Sequence, residues 1–154
     1  MKKPTWIKGA YQTTSVYWGK TQGQLMVMLE QIGIQQVRFT SLPDRFVLEF
    51  VSVPKEKGIP RGVRIVVPLV NRPSDQNDKR NKELNVIHRI VFNHLKAKFI
   101  AIESGITEFE QEFMAHLIIK DKNGRDTTIG ETILPQYNKN IQGKGGQFLL
   151  GSGE

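Results

Sequence analysis

Between Leu84 and Glu103 the chain reads LNVIHRIVFNHLKAKFIAIE, and every other element has to be fitted around this stretch. Leu84, Ile87, Val91, Leu95, Phe99 and Ile102 recur every three or four residues, the period of one face of an α-helix. No proline or glycine interrupts the run, and Gly105 stands where a helix ordinarily stops. At about 1.5 Å per residue such a helix is roughly 30 Å long, the width of a small domain. A chain of 154 residues can build one domain with a real core and is short for two.

No apolar run reaches the ~18 residues that a bilayer span requires. The opening MKKPTWIKGAYQ has no apolar block behind its lysines, so neither a membrane segment nor a secretory signal is expected. Without cysteine, disulfides and thiolate zinc sites are excluded, which fits a cytoplasmic protein. No motif names a reaction, and no cofactor is implied. The net charge of +7 is unevenly placed. Residues 1–102 hold 17 Lys/Arg against 7 Asp/Glu, a balance of +10, and residues 103–154 hold 5 against 8, a balance of −3. A basic body with an acidic remainder points to a polyanionic partner for the first part. A basic surface that serves only solubility is the competing explanation.

Residues 1–20 mix Lys2, Lys3, Trp6, Lys8, Tyr11, Tyr17, Trp18 and Lys20 with no acid, a combination suited to phosphates and stacked bases. The same tryptophans could simply pack on the domain edge. Thr21 and Gln24 have capping-box spacing before the stripe Leu25, Met28, Leu29, Ile32, and Gly33 closes that helix. Strands follow around Val37 and Phe39, over Phe46 to Val53, and over Val63 to Leu69, with a turn at Leu42-Pro43-Asp44-Arg45 and a net-basic loop from Pro54 to Gly62. If Phe39, Leu48, Phe50, Ile65 and Val67 face the helices, Arg38, Glu49 and Arg64 share the other face, as a binding platform or as a solvated face with an ion pair. Pro68 removes a donor and marks a sheet edge.

Residues 71–82 carry no apolar side chain and read as a loop that delivers Lys79, Arg80 and Lys82 to the start of the long helix. Cations oppose the dipole there, and a phosphate at the same end would satisfy both. Arg89, Asn93 and Lys96 extend a polar stripe. After Gly105, Thr107 and Glu110 form a second capping box ahead of a short acidic helix whose buried side is Phe109, Phe113 and Leu117. Its Glu108, Glu112 and His116 at i, i+4 and i+8 could meet a divalent metal, although a solvated face explains them more simply. Ile118 to Ile129 forms a hairpin turning at Asn123-Gly124. From Asn138 the chain is Gly-rich and polar except for Phe148-Leu149-Leu150, and a flexible tail is expected.

The expected fold class is α+β: helix, three-stranded antiparallel sheet, long helix, short acidic helix and C-terminal hairpin. The expected organisation is a basic, aromatic arm over residues 1–20, one domain over 21–137 and a tail over 138–154. The order helix, three strands, helix over residues 21–103 resembles double-stranded-RNA-binding domains, with Lys79, Arg80 and Lys82 where that family clamps phosphates. The connection Leu42-Pro43-Asp44-Arg45 departs from the family's minor-groove loop, and the helix start lacks its alanines, so the function is not carried over. The run from Ala97 to Phe113, together with Lys20-Thr21, looks like a group of small bacteriophage and prophage proteins without a settled activity, which implies a setting in viral or mobile-element DNA metabolism.

The leading functional expectation is a non-enzymatic nucleic-acid-binding protein of phage-type replication or recombination, with single-stranded DNA favoured. Its candidate contacts are Lys79, Arg80, Lys82, Arg89, Lys96, Arg38, Arg64 and Lys8, with Trp6 and Trp18 as stacking rings. The second is an assembly or adaptor protein that binds a protein partner, or a further copy of itself as a homo-oligomer, through the acidic helix and the tail. The third is a metal-dependent nuclease built on Glu103, Glu108, Glu112 and His116.

Overall fold

The computed structural model describes residues 11–53 and 58–143. The elements are α1 (Trp18–Gln31), β1 (Gln36–Ser41), β2 (Arg45–Ser52), β3 (Arg61–Pro68), α2 (Asn77–Glu103), α3 (Phe109–Phe113), β4 (Ile118–Lys120), β5 (Asp126–Thr128) and α4 (Ile129–Gly143). The α+β class and the element order expected from the sequence are present, with α4 in addition.

The α2 stripe does what its period demands: Leu84, Ile87, Val91, Leu95 and Phe99 are buried. They meet Leu25 and Leu29 of α1 and the sheet's Phe46, Leu48, Phe50, Val63 and Ile65 in one core. Burial of this kind, at about 25 cal/mol per Å² of apolar surface, is what holds two layers together. The helix starts seven residues before the apolar stripe does, at Asn77 rather than Leu84, so residues 77–82 are helix and not loop. Glu83 fastens this polar first section: its carboxylate accepts from the Val70 N–H at 3.0 Å and pairs with Arg72 at 3.4 Å and Arg80 at 3.5 Å. At the far end Gly105 adopts φ +73°. The Ile106 N–H reaches Ala101 O at 3.0 Å and the Gly105 N–H reaches Ile102 O at 3.1 Å, the paired bonds of a Schellman stop.

The first helix opens at Trp18, three residues before the expected Thr21. Thr21 is not a cap. It is fully buried, and the free Trp18 N–H is taken by Asn85 Oδ1 of α2 at 2.8 Å. A long-range amide does the work that sequence reasoning assigned to a local hydroxyl. The expected arm boundary at residue 20 therefore falls inside α1.

The sheet is antiparallel in the order β1-β2-β3. Its register sets Phe39 beside Leu48 beside Ile65, and Arg38 beside Glu49 beside Arg64. The two sets lie on opposite faces, as period two requires. Near Gly62 the open face is met by the β4–β5 hairpin: a Cβ added there would lie 3.1 Å from Ile118 Cδ1. An isolated bridge between Val63 and Leu117 joins hairpin to sheet.

The cap of α3 is Glu108 with Gln111, not Thr107 with Glu110. Phe113 is fully buried at the centre of a ring cluster, 5.7 Å from Phe50, 5.5 Å from Phe99 and 4.8 Å from Phe109 between centroids. After Phe113 the α-helix gives way to a 3-10 turn, Met114–His116.

The fourth helix was not expected. Thr128 and Glu131 form a reciprocal cap, with the Glu131 N–H donating to Thr128 Oγ1 at 3.2 Å and the Thr128 N–H donating to Glu131 Oε2 at 3.0 Å. The helix continues through Pro135 to Gly143, so the expected tail boundary at residue 138 falls inside it. Gly130 is buried against Ala115, and residues 131–140 are all exposed, with Ile133 at 52% and Leu134 at 54%. A Cβ at Gly130 would approach Ala115 O to 2.8 Å. The Gly130→Ala variant should therefore lose about 1–3 kcal/mol, which thermal melting would register as a midpoint lower by about 2–4 °C per kcal/mol. An unchanged midpoint would mean that α4 is not held at this point.

His88 of α2 is fully buried, its ring 5.7 Å from that of Trp18 in α1 and 4.4 Å from that of Phe46 in β2. Leu84 O, 2.7 Å from Nδ1, can only accept, so Nδ1 carries the proton and Nε2 accepts from Gln22 Nε2 at 3.0 Å. Burial, only partly offset by the bond to Leu84 O, holds the imidazole pKa below its usual value, and burial is also the first cause of the downward shifts at His94 and His116. A base with a depressed folded pKa contributes stability above its unfolded pKa, about 6.5, and loses it as pH falls below. Melting temperature should thus be level above neutrality and decline from about pH 6.5 downward. A profile flat to pH 5 would contradict a neutral buried His88. No described helix is long and apolar enough to cross a membrane.

Candidate nucleic-acid interface

The cations divide into those engaged by the fold and those left available. On the sheet's open face Glu49 sits between two arginines, with Arg64 Nε 2.8 Å from Oε1 and Arg38 Nε 2.6 Å from Oε2. Partial burial would raise the Glu49 pKa, but the hydrogen bonds from Arg64 and Arg38 outweigh it and hold the carboxyl below its usual range. The triad is ionised throughout the physiological range and carries one net positive charge among three groups. The rest of that face is Gln36, Thr40, Arg45, Val47, Val51, Gly62, Val66 and Pro68, while Phe39, Phe46 and Phe50 point into the core. The open sheet face therefore offers no ring to a base, which removes it as a stacking platform.

Arg80 is likewise engaged, bonded to Glu83 and to the Pro43 carbonyl, so that it ties the β1–β2 turn to α2. Lys98 holds α3, with Nζ 2.8 Å from the Glu112 carboxylate and 2.9 Å from its carbonyl. Glu110 pairs with Arg61. Glu108 is spent as a cap, and the helix ends before His116, so the expected face of Glu108, Glu112 and His116 does not form. Among the described residues no group of three His, Asp or Glu could hold a metal ion.

Lys79, Lys82 and Lys96 are different: they are exposed and have no ion pair among the described residues. Arg89 has no carboxylate partner either. It donates to Gln24 Oε1 at 2.7 Å and lies 5.0 Å over the Phe92 ring. Lys82, Arg89 and Lys96 are spaced seven residues apart, two helical turns or about 10.5 Å of rise each. They form a line about 20 Å long on α2 away from its buried stripe, turning toward the α1 flank at Arg89 and Lys96, with Lys79 one turn before it. The next position in the series is Glu103, where the line ends.

A groove flanks this ridge on each side. One, of about 730 Å³, lies between α1 and α2 and is lined by Lys20, Gln24, Met28, Phe92, Lys96 and Ile100 among others. The other, of about 770 Å³, lies between the end of β3 and the first half of α2, with Val67, Pro68, Val86 and Ile90 at its floor and Lys79 and Lys82 at its rim. Phe92 had not been singled out from the sequence, because it is off the apolar stripe, and Lys20 and Gln24, read there as part of the basic arm and of a capping box, join it from another helix. The one local signal was the i, i+3 relation of Arg89 to Phe92.

Trp18 is half-buried, its ring 4.9 Å from Tyr17 and 5.7 Å from His88, with Nε1 buried. It packs on the domain edge. Trp6, Lys8 and Phe148-Leu149-Leu150 lie outside the described residues. No protein-family model, curated protein or solved structure matches the chain.

Proposed function

We propose that this protein binds nucleic acid without transforming it, through the outer face of α2, and that single strands are its preferred form. The observation that carries the proposal is the line of Lys82, Arg89 and Lys96, unpaired with any described carboxylate and evenly spaced on a rigid helix. Cations left without a carboxylate, while others such as Arg38, Arg64 and Arg80 are matched to Glu49 and Glu83, are what a polyanion can use. Phosphate contacts release counterions, so affinity falls with salt. Preference for a single strand is supported by the alternation of apolar groove and cation beside the ridge. The setting, phage-type DNA replication or recombination, rests on the sequence resemblance alone.

Fluorescence anisotropy with labelled oligonucleotides tests the proposal. With three to four phosphate contacts, log K should fall against log salt with a slope of about −2 to −3 for single strands. Absence of binding at low salt would overturn it.

A second reading, an assembly or adaptor role, draws support from α4, where Ile133 and Leu134 stay half exposed. It moves from α3, whose Glu110 and Glu112 are occupied within the fold, to α4. A mass by light scattering that falls to the monomer in Ile133→Glu would favour it, and a monomer throughout would remove it.

A further inference from the structure

We propose that the groove between α1 and α2 receives one unpaired base, stacked on Phe92, while the phosphates of the same strand follow the α2 ridge. The inference rests on the nucleic-acid reading and adds a site and a selectivity to it. Phe92 is half-buried and lines the groove together with Met28 and Ile100. The Arg89 guanidinium lies 5.0 Å over the ring and is fixed there by Gln24 Oε1 at 2.7 Å. An aromatic ring paired with a guanidinium gives a flat surface on which any base can stack, with little preference for sequence. The Gln31 amide at the groove wall has no partner among the described residues and can meet a base edge.

Charge distinguishes a nucleotide from other apolar occupants. Lys20 from α1 and Lys96 from α2 both line the groove, and neither has an ion pair among the described residues. Lys96 is also the last cation of the ridge, so a strand tracking Lys82 and Arg89 arrives at this groove with its next phosphate. Glu103 lines the same groove one heptad further on. It repels a phosphate beyond that point and limits the site to the end of the track. A groove of about 730 Å³ is of the size that takes small-molecule ligands.

The test compares three probes on the full chain: an oligo-dT, an abasic oligonucleotide of the same length, and the dT strand paired with its complement. The abasic strand keeps every phosphate and removes every base. Oligo-dT should bind about tenfold tighter than the abasic strand, as expected for one stacked base, with the same salt slope. The Phe92→Leu variant, which keeps an apolar side chain against the core, should erase that ratio and leave abasic binding unchanged. Equal binding of dT and abasic strands, duplex binding as tight as dT, or a ratio untouched by Phe92→Leu would each overturn the base site while leaving the phosphate ridge in place. The first result is also the one expected if an acidic peptide or a second copy fills the groove. Failure of all three probes to bind would instead remove the ridge, and the base site with it.

Discussion

Replacing Lys82, Arg89 and Lys96 together with alanine should flatten the salt dependence of single-strand binding by about 2 units of slope, at roughly 0.7 per lost contact. Carried to about 0.05 M salt, the same relation gives a loss of two to three orders of magnitude in affinity. No other change on the surface should approach this. Lys82 and Lys96 are exposed, Arg89 is half-buried, and none of the three has a carboxylate partner among the described residues, so their removal leaves no acid stranded. Alanine is the strongest helix former, and at the exposed Lys82 and Lys96 such substitutions stay within about 0.5 kcal/mol, while at Arg89 the bond to Gln24 and the contact with Phe92 are lost as well. Far-UV circular dichroism should accordingly be unchanged, and the loss of binding can be assigned to the contacts. The informative comparison is Arg38→Ala with Arg64→Ala. Those arginines already share Glu49, and their loss should move the slope much less. A slope that ignores the first set and responds to the second would transfer the interface from the helix to the sheet.

The largest effect on stability should come from Phe113→Ala, at about 3–5 kcal/mol. Phe113 is fully buried and touches a ring from each of three elements: Phe50 of β2, Phe99 of α2 and Phe109 of α3. Lys98 Nζ, which holds Glu112, lies 5.5 Å over the same ring. Truncation leaves a cavity where sheet, long helix and short helix meet, and takes the packing support from the Lys98–Glu112 pair. Domains of this size are stable by about 5–15 kcal/mol in all, so the variant should lose a large share of its margin. Urea denaturation should show a lower midpoint with an unchanged slope. A loss below about 1 kcal/mol would mean that the core relaxes around the missing ring, and that α3 is not pinned by it.

Much of the fold was legible because burial leaves a periodic trace. The α2 stripe, the two faces of the sheet and the closing glycines at Gly33 and Gly105 were all readable from local sequence. What escaped detection has no such trace. Residues 77–82 are helical without an apolar side chain, held through Glu83, which pairs with Arg80 within the helix and with Arg72 and Val70 outside it. The N-terminus of α1 is closed by Asn85, 67 residues distant. The Thr128-x-x-Glu131 signature of α4 was present in the sequence, but Gly130, Pro135 and the glycine-rich continuation concealed it. The candidate interface divides in the same way. The heptad spacing of Lys82, Arg89 and Lys96 can be counted in the sequence, whereas the demotion of Arg80 follows from its reach to Pro43. The groove beside Phe92 exists only because α1 packs on α2.

The edge of the sheet at β3 has a consequence for behaviour at high concentration. An uncovered strand edge is a template on which other chains can add, and the end of a β-sheet is where aggregation starts. Here one end of β3 is occupied by the Val63–Leu117 bridge, and the other finishes in Pro68, which has no N–H to donate. Growth from that side is blocked at both ends by features that cost the core nothing. Among the described residues of this sheet, strand addition from a neighbouring molecule is left with the outer edge of β1, a six-residue strand that carries Arg38 near its middle, and a cation at that position repels an identical copy.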